Sequence, residues 1–598
     1  MKHTLKSVKT FGLALLIGGV AGGLTSCDDF FQPETADALS GDDYMSSITE
    51  MATGYLGVLT KMQAVGDKEI YLTDTRGEML EPTDQSIAEL IALYNYDDDL
   101  TGNSYANPAG YYDVVIACND YLQNMLEFKA KYPEIVAETD YFEGLFASAI
   151  RVKVWAYMTL AEIYGQALWF DDPITSIKDV RNTDIFTHVQ TEDIVSRCLN
   201  LLENGYQGYS AEEDFSWIAW VDAENVNSIA SSNYRYWDMM TPPYFALRAK
   251  LLVWKGAFQE QRGEDATQTY KDLCQTLQDK FKSYWPGFKH YWKRCPTTPG
   301  HYSAFWNNNT PYQEEVVSAI IYDYTKNQTN RLLYHFSTEY PNAFLLQSNE
   351  IARERFTDTE LDPLGTQTQD SRLNVITKQD GNNWYISKFR PMGSTVRAYA
   401  YQDDVHIYNF RCSELFLWMA EALNHLGRYK ALSVILNNGF ETTDYDMLLN
   451  IENGADSLVS AADLAEFYDF HTYWCIPTSE DKYGRYTGFR GCLSLGAVDI
   501  WTGSDDGSTP HTHAEAQRHN DELLANEWMF ECACEGKVYP NLIRFAERYQ
   551  DPTIISDRVT PKYETSKTGA SVASVKQKIE SKNANSGVMG YYVPWSLY

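Results

Sequence analysis

Residues 412–436, CSELFLWMAEALNHLGRYKALSVIL, indicate the fold class. Apolar residues recur there at the spacing of one helical face, namely Leu415, Met419, Ala422 and Leu426. Gly427 follows as a stop signal, and a second helix is predicted to begin near Lys430. The stretch therefore predicts two consecutive helices joined by a tight turn.

Three further stretches have the same helical period: 148–165, 244–258 and 520–536, the last predicted to end at Gly536. The small alanines and the LG pair of 412–436 resemble one tetratricopeptide unit, although no period of about 34 residues continues along the chain. Strands and helices do not alternate, which argues against a doubly wound or (β/α)₈ enzyme. We predict a mainly α fold with tetratricopeptide-like helical pairs as a scaffold, long irregular ligand-binding loops and few short strands.

The predicted loops are rich in Gly, Pro, Asn, Asp and aromatic residues. They cover 94–112, 205–243, 283–312, 376–404 and 472–515. Loops of this length in a compact domain usually carry function. We therefore expect the ligand site to be built from some of them.

The N-terminus has the pattern of a secretory signal. Three lysines precede the apolar stretch 11–24, FGLALLIGGVAGGL, which is about half of the length needed to span a membrane. A buried N-terminal helix is the alternative, but the sequence becomes polar directly after Cys27. The residues LTSC at 24–27 resemble a bacterial lipobox, which implies that 1–26 are removed, that Cys27 carries lipid and that 27–40 form a tether.

Composition excludes several classes of function. The formal charge is −33 and becomes −36 without the three lysines of the predicted signal, so a phosphate backbone would be repelled and we expect no nucleic-acid partner. No later stretch reaches 18 uninterrupted apolar residues, so no other membrane span is predicted. Nine cysteines remain after Cys27, an odd number at irregular spacings, which does not indicate a disulfide framework.

Several motifs resemble the SusD/RagB family of surface lipoproteins from Bacteroidetes, in the family's order. They are YYDVVIACNDYLQNM (111–125), RVKVWAYMTLAEIYGQALWF (151–170), TPPYFALRAKLLVW (241–254), CSELFLWMAEALNHLG (412–427) and NEWMFECACEGKVYPNLIRFA (526–546). Trp528 and Val538 stand where the last motif usually has Arg, and Asn541 stands where it has Asp. The resemblance covers nearly the whole chain and implies one SusD-like domain over 27–598, and these departures are typical of a divergent member of that family.

The resemblance implies a binding protein without catalytic activity or cofactor. It implies an oligosaccharide or polysaccharide ligand, attachment to the outer membrane through lipid, and a SusC-like TonB-dependent outer-membrane transporter as partner. A peptide or another nutrient could take the ligand's place. A surface glycoside hydrolase is the competing function, which would need two carboxylates roughly 5–10 Å apart. A binding protein of an ABC importer should have two α/β lobes, which the helical pattern disfavours.

Two aromatic stretches, 93–112 and 283–309, occupy the places where the resemblance puts the ligand site. Aromatic rings among Asn, Arg and Lys suit a sugar, because rings stack on its faces while polar groups bind its hydroxyls. The alternative is that these rings pack the loops onto the scaffold. The candidate ligand-binding residues are Arg76, Tyr94, Asn95, Tyr96, Asn103 and Tyr105, and then Tyr284, Trp285, Tyr291, Trp292, Tyr302 and Trp306.

Three other motifs could suggest metal or redox chemistry, but each has a plainer interpretation. Cys532 and Cys534 in ECACEG would lie about 200° apart on a helix, too far apart to bind one metal ion together or to form a disulfide. The histidines of HTHAEAQRH (511–519) lack a completing ligand nearby, and YDDDL (96–100) lacks the glycine and glutamate of a calcium loop. We predict no metal site, and we expect Glu531, Glu535 and Arg544 to form a structural polar network.

Asp28 and Asp29 directly follow the predicted lipidated cysteine and resemble the acidic export signal of Bacteroidetes surface lipoproteins. Replacing both with alanine should leave the protein lipidated but hidden from protease added to intact cells. Western blotting after external protease treatment measures this, with cells opened by detergent as the control. A double variant that external protease still degrades would contradict the export signal.

Overall fold

The computed structural model describes residues 45–174, 183–224, 237–282, 300–307, 315–361, 367–390, 404–437, 488–493 and 495–595. Seven candidate residues lie outside these ranges: Cys27, Asp28, Asp29, Tyr284, Trp285, Tyr291 and Trp292. The predictions of a signal peptide, a lipid anchor and a tether also concern residues outside them. All of these stay predictions.

Helices make up most of the described chain, as predicted. The first half contains α1 (Ile48–Val65), α2 (Lys68–Asp74), α3 (Ala88–Tyr94), α4 (Ala109–Lys131), α5 (Pro133–Ala137), α6 (Tyr141–Tyr164), α7 (Thr191–Asn204), α8 (Trp217–Glu224), α9 (Tyr244–Gln261), α10 (Thr267–Lys282) and α11 (Gly300–Asn307). The second half contains α12 (Leu332–Phe336), α13 (Glu350–Glu354), α14 (Leu373–Ile376), α15 (Cys412–His425), α16 (Tyr429–Leu436), α17 (Phe489–Cys492), α18 (His513–Cys532), α19 (Val538–Tyr549), α20 (Thr553–Val559) and α21 (Val572–Glu580). Short 3₁₀ turns lie at Thr183–Ile185, Tyr324–Lys326 and Thr560–Glu564.

The strands of the described chain are short and join only in antiparallel pairs. They are β1 (Leu80–Pro82) with β5 (Leu346–Ser348), β2 (Gln166–Trp169) with β3 (Thr187–Gln190), β4 (Val316–Ile320) with β10 (Ile407–Arg411), β6 (Thr357–Leu361) with β7 (Gln367–Gln369), and β8 (Thr377–Asp380) with β9 (Asn383–Ile386). The mainly α class with few short strands is therefore confirmed.

The long helices pack against one another in a continuous series. Helix α4 lies between α1 and α6, α7 joins α6 to α9, α10 joins α9 to α15, and α15 packs on α18. Connections of only a few residues make α9 and α10, and likewise α15 and α16, neighbouring pairs. Gly256 allows the first pair to approach closely, because a Cβ atom there would come within 2.6 Å of the Tyr270 ring.

The helix pair predicted from 412–436 is present. Helix α15 ends at His425, Gly427 has a φ of +69°, and α16 begins at Tyr429, one residue before the predicted start. Gly427 suits this turn because it adopts the left-handed conformation without steric cost.

The segments predicted as irregular loops contain short elements. Helix α4 begins inside 94–112, α8 lies inside 205–243, α11 inside 283–312, the β8–β9 hairpin inside 376–404, and α17 inside 472–515. Contacts from other segments help to fix such elements. In α8, for example, the backbone N–H of Trp217 donates to Asp238 Oδ1 at 2.5 Å.

Helix α18 differs from the prediction at both ends. It begins at His513, because Thr512 and Glu515 form a capping box, so most of the histidine motif is helical rather than looped. It ends at Cys532 and not at Gly536, because Cys534 and Gly536 adopt positive φ values of 66° and 78°. Cys534 is buried as expected, but it lies in the turn that follows the helix.

A first buried ionic cluster surrounds this turn. The Arg411 guanidinium donates to Glu315 Oε1 at 3.1 Å, to Glu531 Oε1 at 3.2 Å and to Glu535 Oε2 at 2.8 Å. Burial opposes the charge of Arg411, but the surrounding carboxylates outweigh it and raise its pKa further above the ordinary value. Lys388 Nζ donates to Glu535 Oε1 at 2.6 Å and to the Ala533 carbonyl at 2.9 Å, which satisfies the helix end.

A second cluster lies between α15, α18 and α19. Glu421 accepts hydrogen bonds from both Arg544 and Arg548, and Arg548 Nη1 also donates to Asp521 Oδ2 at 2.9 Å. His425 bridges Glu260 Oε1 at 2.8 Å and Asp521 Oδ2 at 3.0 Å with its two ring nitrogens. The predicted structural role of Glu531, Glu535 and Arg544 is confirmed, in two clusters rather than one.

Replacing Arg411 with methionine should destabilise the protein strongly. The change leaves three buried carboxylates without their common partner, which typically costs about 3–5 kcal/mol. Arg262→Met is the control, since Arg262 pairs with Glu264 at the surface and its loss should leave stability near the wild-type value. Urea unfolding followed by circular dichroism measures both, and equal effects of the two variants would contradict the role of Arg411.

Stability should also fall as pH rises from 6 to 10, in part through His425. Burial and Arg548 oppose its protonation, but Glu260 and Asp521 outweigh them and raise the pKa of His425 to about 9. Its protonation therefore stabilises the fold fully below pH ~6.5 and contributes less as pH rises through about 9.

His425→Gln cannot gain this proton, so its stability deficit relative to wild type should shrink between pH 6 and pH 10 by on the order of 3 kcal/mol. His519→Gln serves as the control, because His519 lies on the partly exposed face of α18. Urea unfolding at each pH gives the values. A deficit of His425→Gln that is constant with pH would show that His425 is neutral in the fold.

Candidate functional site

A cleft with a volume of about 740 Å³ opens where four separate segments meet. The segments are 81–86, 344–353, 382–384 and 565–568, and Ile91 and Tyr94 of α3 also line it. We call the space that these residues enclose the cleft. Its volume lies within the usual range of ligand pockets, roughly 300–1,000 Å³.

The first wall is the β1–β5 pair, which polar side chains hold in register. Glu81 lies opposite Gln347, whose Nε2 donates to Glu81 Oε1 at 2.9 Å. Asn349 Nδ2 donates to the other oxygen of Glu81 at 2.7 Å. Both carboxylate oxygens of Glu81 are therefore already engaged.

The second wall carries Trp384, a partly exposed side chain at the start of β9. Its carbonyl accepts a hydrogen bond from Ser348 Oγ at 3.3 Å, which ties the hairpin to β5. The Arg353 guanidinium carbon lies 4.3 Å from the centroid of the Trp384 ring, and Arg353 Nη1 donates to Ser348 Oγ at 3.1 Å. Partial burial lowers the pKa of Arg353 in spite of the nearby carboxylates of Glu81 and Glu350.

The third wall is the loop 565–568. Thr568 Oγ1 donates to Asn95 Oδ1 at 2.6 Å and lies 3.0 Å from Ser566 Oγ. Lys567 and Asp84 face each other at 4.0 Å, and both are strongly exposed, so this ion pair adds little stability.

Tyr94 and the residues beneath it form the base. Its ring packs 4.7 Å from that of Tyr563, and Lys562 Nζ lies 4.5 Å from its centroid. Lys562 Nζ donates to the carbonyls of Gly77 at 2.5 Å and Thr75 at 3.0 Å, just before β1. Burial raises the pKa of the Tyr94 phenol above its ordinary value, so Tyr94 is neutral at pH 7. The base thus connects the segment before β1 to the 3₁₀ turn before the third wall.

The cleft combines the partly exposed indole of Trp384 and the more deeply buried rings of Tyr94 and Phe344 with many hydrogen-bonding groups. Its amides are those of Gln85, Gln347, Asn382 and Asn383, and its aliphatic hydroxyls are those of Thr83, Ser86, Ser348, Thr565, Ser566 and Thr568. An indole offers a flat apolar face, while amides and hydroxyls can both donate and accept. Such a lining suits a polyhydroxylated ligand with flat apolar faces.

Two solved structures share the architecture. One is a SusD superfamily protein from Bacteroides vulgatus, with a TM-score of 0.57 and 12% identity over 91% of this chain and 95% of that chain. The chain has the SusD fold. A SusD homolog from Bacteroides thetaiotaomicron gives a TM-score of 0.54 with 12% identity, over 94% of this chain and 99% of that chain.

No protein-family model and no curated protein matches this chain in sequence. The two solved structures confirm, at the level of the fold, the resemblance predicted from the motifs. The predicted divergence agrees with identities as low as 12%.

Of the sequence-predicted ligand residues that the structure describes, Tyr94 lines the cleft and Asn95 supports its third wall. Tyr96 and Arg76 are buried behind it. The Arg76 guanidinium carbon lies 3.8 Å above the Tyr96 ring, and Arg76 Nη2 donates to the carbonyls of Gly590 at 2.6 Å and Tyr592 at 3.0 Å. Arg76 and Tyr96 thus hold the C-terminal segment of the described chain and leave no face open to a ligand.

Asn103 and Tyr105 are also buried. Asn103 Oδ1 accepts the backbone N–H of Tyr105 at 3.0 Å, and the Tyr105 hydroxyl lies 2.8 Å from His335 Nε2. Burial lowers the pKa of His335 to about 4, so this is a neutral contact at pH 7. Both residues fix a turn in the interior, which matches the packing alternative.

Tyr302 and Trp306 cover the first ionic cluster. The Tyr302 hydroxyl donates to the Glu531 carbonyl at 3.0 Å, and Lys388 Nζ lies 4.4 Å from the centroid of the Trp306 ring. Both rings are buried, and they lie against the cations of the cluster instead of facing a ligand.

Trp384, Arg353 and Gln347 are residues of the cleft that sequence reasoning missed. The usable signal was TKQDGNNWYI at 377–386, in which a turn-forming G-N-N separates two short segments with strand-forming residues. That pattern predicts a hairpin with an aromatic residue beside its turn. It lay inside the segment that we predicted as an irregular loop.

The cysteine and histidine motifs have structural roles in the described chain. Cys532 and Cys534 are buried, which raises the pKa of both thiols well above the ordinary value. His511 stacks 3.8 Å from Trp501, and His513 Nδ1 lies 2.8 Å from the Tyr429 hydroxyl. In the described ranges, no cluster of His, Cys, Asp or Glu could hold a metal ion, and each helix is too short or too polar to cross a membrane.

Proposed function

We propose that the chain is a cell-surface lipoprotein that binds an oligosaccharide or polysaccharide in the cleft and delivers it to a SusC-like TonB-dependent transporter. The SusD fold supports this role, because the motifs that imply it run through the same scaffold. The observation that carries the proposal is the Trp384 ring, partly exposed among amides and hydroxyls.

Attachment and orientation follow from the N-terminal sequence. The lipobox-like LTSC places the acyl chains on Cys27, and more than one acyl chain makes a lasting anchor. Asp28 and Asp29 favour export to the outer face of the outer membrane. The formal net charge of −33 also disfavours nucleic acid as a ligand, because it repels phosphate groups.

The cleft supports binding rather than hydrolysis. A glycoside hydrolase needs one carboxyl group as an acid and a second as a base or nucleophile. Glu81 spends both oxygens on Gln347 and Asn349, and Asp84 lies at the exposed rim beside Lys567. These contacts favour structural roles for Glu81 and Asp84. The third carboxylate of the lining, Glu350, lies exposed at the start of α13 and acts on the charge of Arg353.

Trp384→Ala should weaken binding of the preferred glycan about tenfold or more, since it removes the aromatic platform, worth ~1.5 kcal/mol. Affinity gel electrophoresis against starch, laminarin, xylan, galactomannan and pectic galactan identifies the glycan, and isothermal titration then gives the affinity. A reducing-sugar assay on the same mixtures should detect no release.

Trp501→Ala is the matched control, because Trp501 is also partly exposed but packs between His511 and His519, away from the residues that line the cleft. It should bind like wild type. Equal affinity of Trp384→Ala and wild type would refute the cleft as the site. Sugar release would refute binding without catalysis, and binding of a peptide but no glycan would refute the ligand class.

A further inference from the structure

A second, smaller pocket of about 170 Å³ lies beside the turn 337–342. Its lining includes the ring of Tyr334, Pro341, and the amides of Gln328, Asn330 and Asn342. We call it the rim pocket. It has the same kinds of groups as the cleft, an aromatic ring with several amides, at a smaller size.

The exposed aromatic surface of the described chain is concentrated at this edge. Its exposed large hydrophobic side chains are Ile87, Tyr334 at 47% and Tyr340 at 87%. Tyr334 lines the rim pocket, and Tyr340 lies on the adjoining turn, next to Pro341. Ile87 ends the loop that begins at Thr83, whose backbone N–H donates to the Leu345 carbonyl at 3.0 Å. Grouping of exposed rings at one edge points to a contact with a ligand or partner.

The rim pocket and the cleft share one short wall. Pro341 and Asn342 line the pocket and Phe344 lines the cleft, so only Ala343 lies between the two linings along the chain, and the Cα atoms of Pro341 and Phe344 are at most about 11 Å apart. The carbonyl of Tyr334 accepts the N–H groups of Ala343 at 3.0 Å and Phe344 at 3.1 Å, which fixes this wall to α12. A ligand chain leaving the cleft over Phe344 would therefore meet Tyr334 next.

The side-chain amides of the rim pocket differ in how many of their hydrogen-bonding groups have partners. Asn330 is engaged, because its Nδ2 donates to the Val405 carbonyl at 2.8 Å and its Oδ1 accepts the Leu332 N–H at 3.1 Å. Asn342 Nδ2 is enclosed and makes no hydrogen bond to a described residue. An unsatisfied donor of this kind costs about 1–3 kcal/mol, which a ligand hydroxyl could recover after a small rotation of the amide.

We propose that the rim pocket is a second sugar subsite, which binds a later residue of the same glycan chain whose first part occupies the cleft. This inference rests on the proposed function and narrows its ligand to a chain long enough to cross Phe344. Tyr334 stacks on the sugar face and Asn342 binds a hydroxyl. Short oligosaccharides fill the cleft alone.

The test is the dependence of affinity on chain length. The probe is the polysaccharide, among the five named above, that retards the wild type most in affinity electrophoresis, cut by partial acid hydrolysis and separated by size. Tyr334→Ala should bind the long fragments about five- to tenfold more weakly than wild type and bind the shortest fragments equally well. Tyr334→Phe keeps the ring and should bind like wild type at every length.

The remaining outcomes separate the two proposals. Equal losses of Tyr334→Ala at all lengths, or none at any length, would overturn the rim subsite while leaving the cleft intact. Trp384→Ala should lose affinity for short and long fragments alike. If it loses none, the proposal that the cleft binds the glycan is refuted. Asn342→Ala should repeat the length-dependent loss, and retention of full affinity for long fragments would remove Asn342 from the subsite. A wild type retarded by none of the five polysaccharides would overturn the glycan-binding function and the subsite with it.

Discussion

The buried charge of Arg411 is the interaction on which the rest of the structure depends. Its guanidinium joins Glu315, before β4, to Glu531 and Glu535, at the end of α18, from a position directly before α15. Only a planar cation with five donors can serve three carboxylates in this way. Buried ions like these add little net stability, but removing one partner is costly, so they fix which segments meet.

The consequences of this contact reach the cleft through a short series of hydrogen bonds. The turn after α18 is held by Arg411 and Lys388, and its Gly536 N–H donates to Asp74 Oδ2 at 2.6 Å. Asp74 ends α2, and the residues that follow lead directly into β1, the first wall of the cleft. The motif 526–546 is therefore a structural support of the cleft rather than part of it.

The scaffold could be predicted from the sequence because residues close together in the chain specify each of its helices. The stripe Leu415, Met419 and Ala422 with Gly427 specifies one helix and its end without reference to the rest of the chain. Two of the departures at 526–546 have visible partners: the Trp528 ring packs 6.2 Å from that of Trp418 on α15, and Asn541 still accepts a hydrogen bond from Arg544, as an aspartate would.

The ligand-facing surface could not be predicted in the same way. Tyr96 and Tyr105 have the composition and loop position expected of sugar-binding residues, yet distant parts of the chain bury them: Tyr539 contacts the first and His335 the second. Trp384 gave no stronger local signal than these rings. Whether an aromatic side chain packs or binds depends on tertiary contacts hundreds of residues away, which a helical period does not encode.

The hydrogen bonds that Arg76 donates to the carbonyls of Gly590 and Tyr592 have a consequence for how the protein matures. The first wall of the cleft follows Arg76 closely, while the third wall and Lys562 come from residues beyond 560, so the site needs both ends of the described chain. A chain that emerges from a translocation channel N-terminus first would hold an unfinished site until its last segment arrives. Under the proposed function, capture of a ligand would therefore begin only after export of the last segment, and fragments that lose the C-terminal segment would lack a complete cleft.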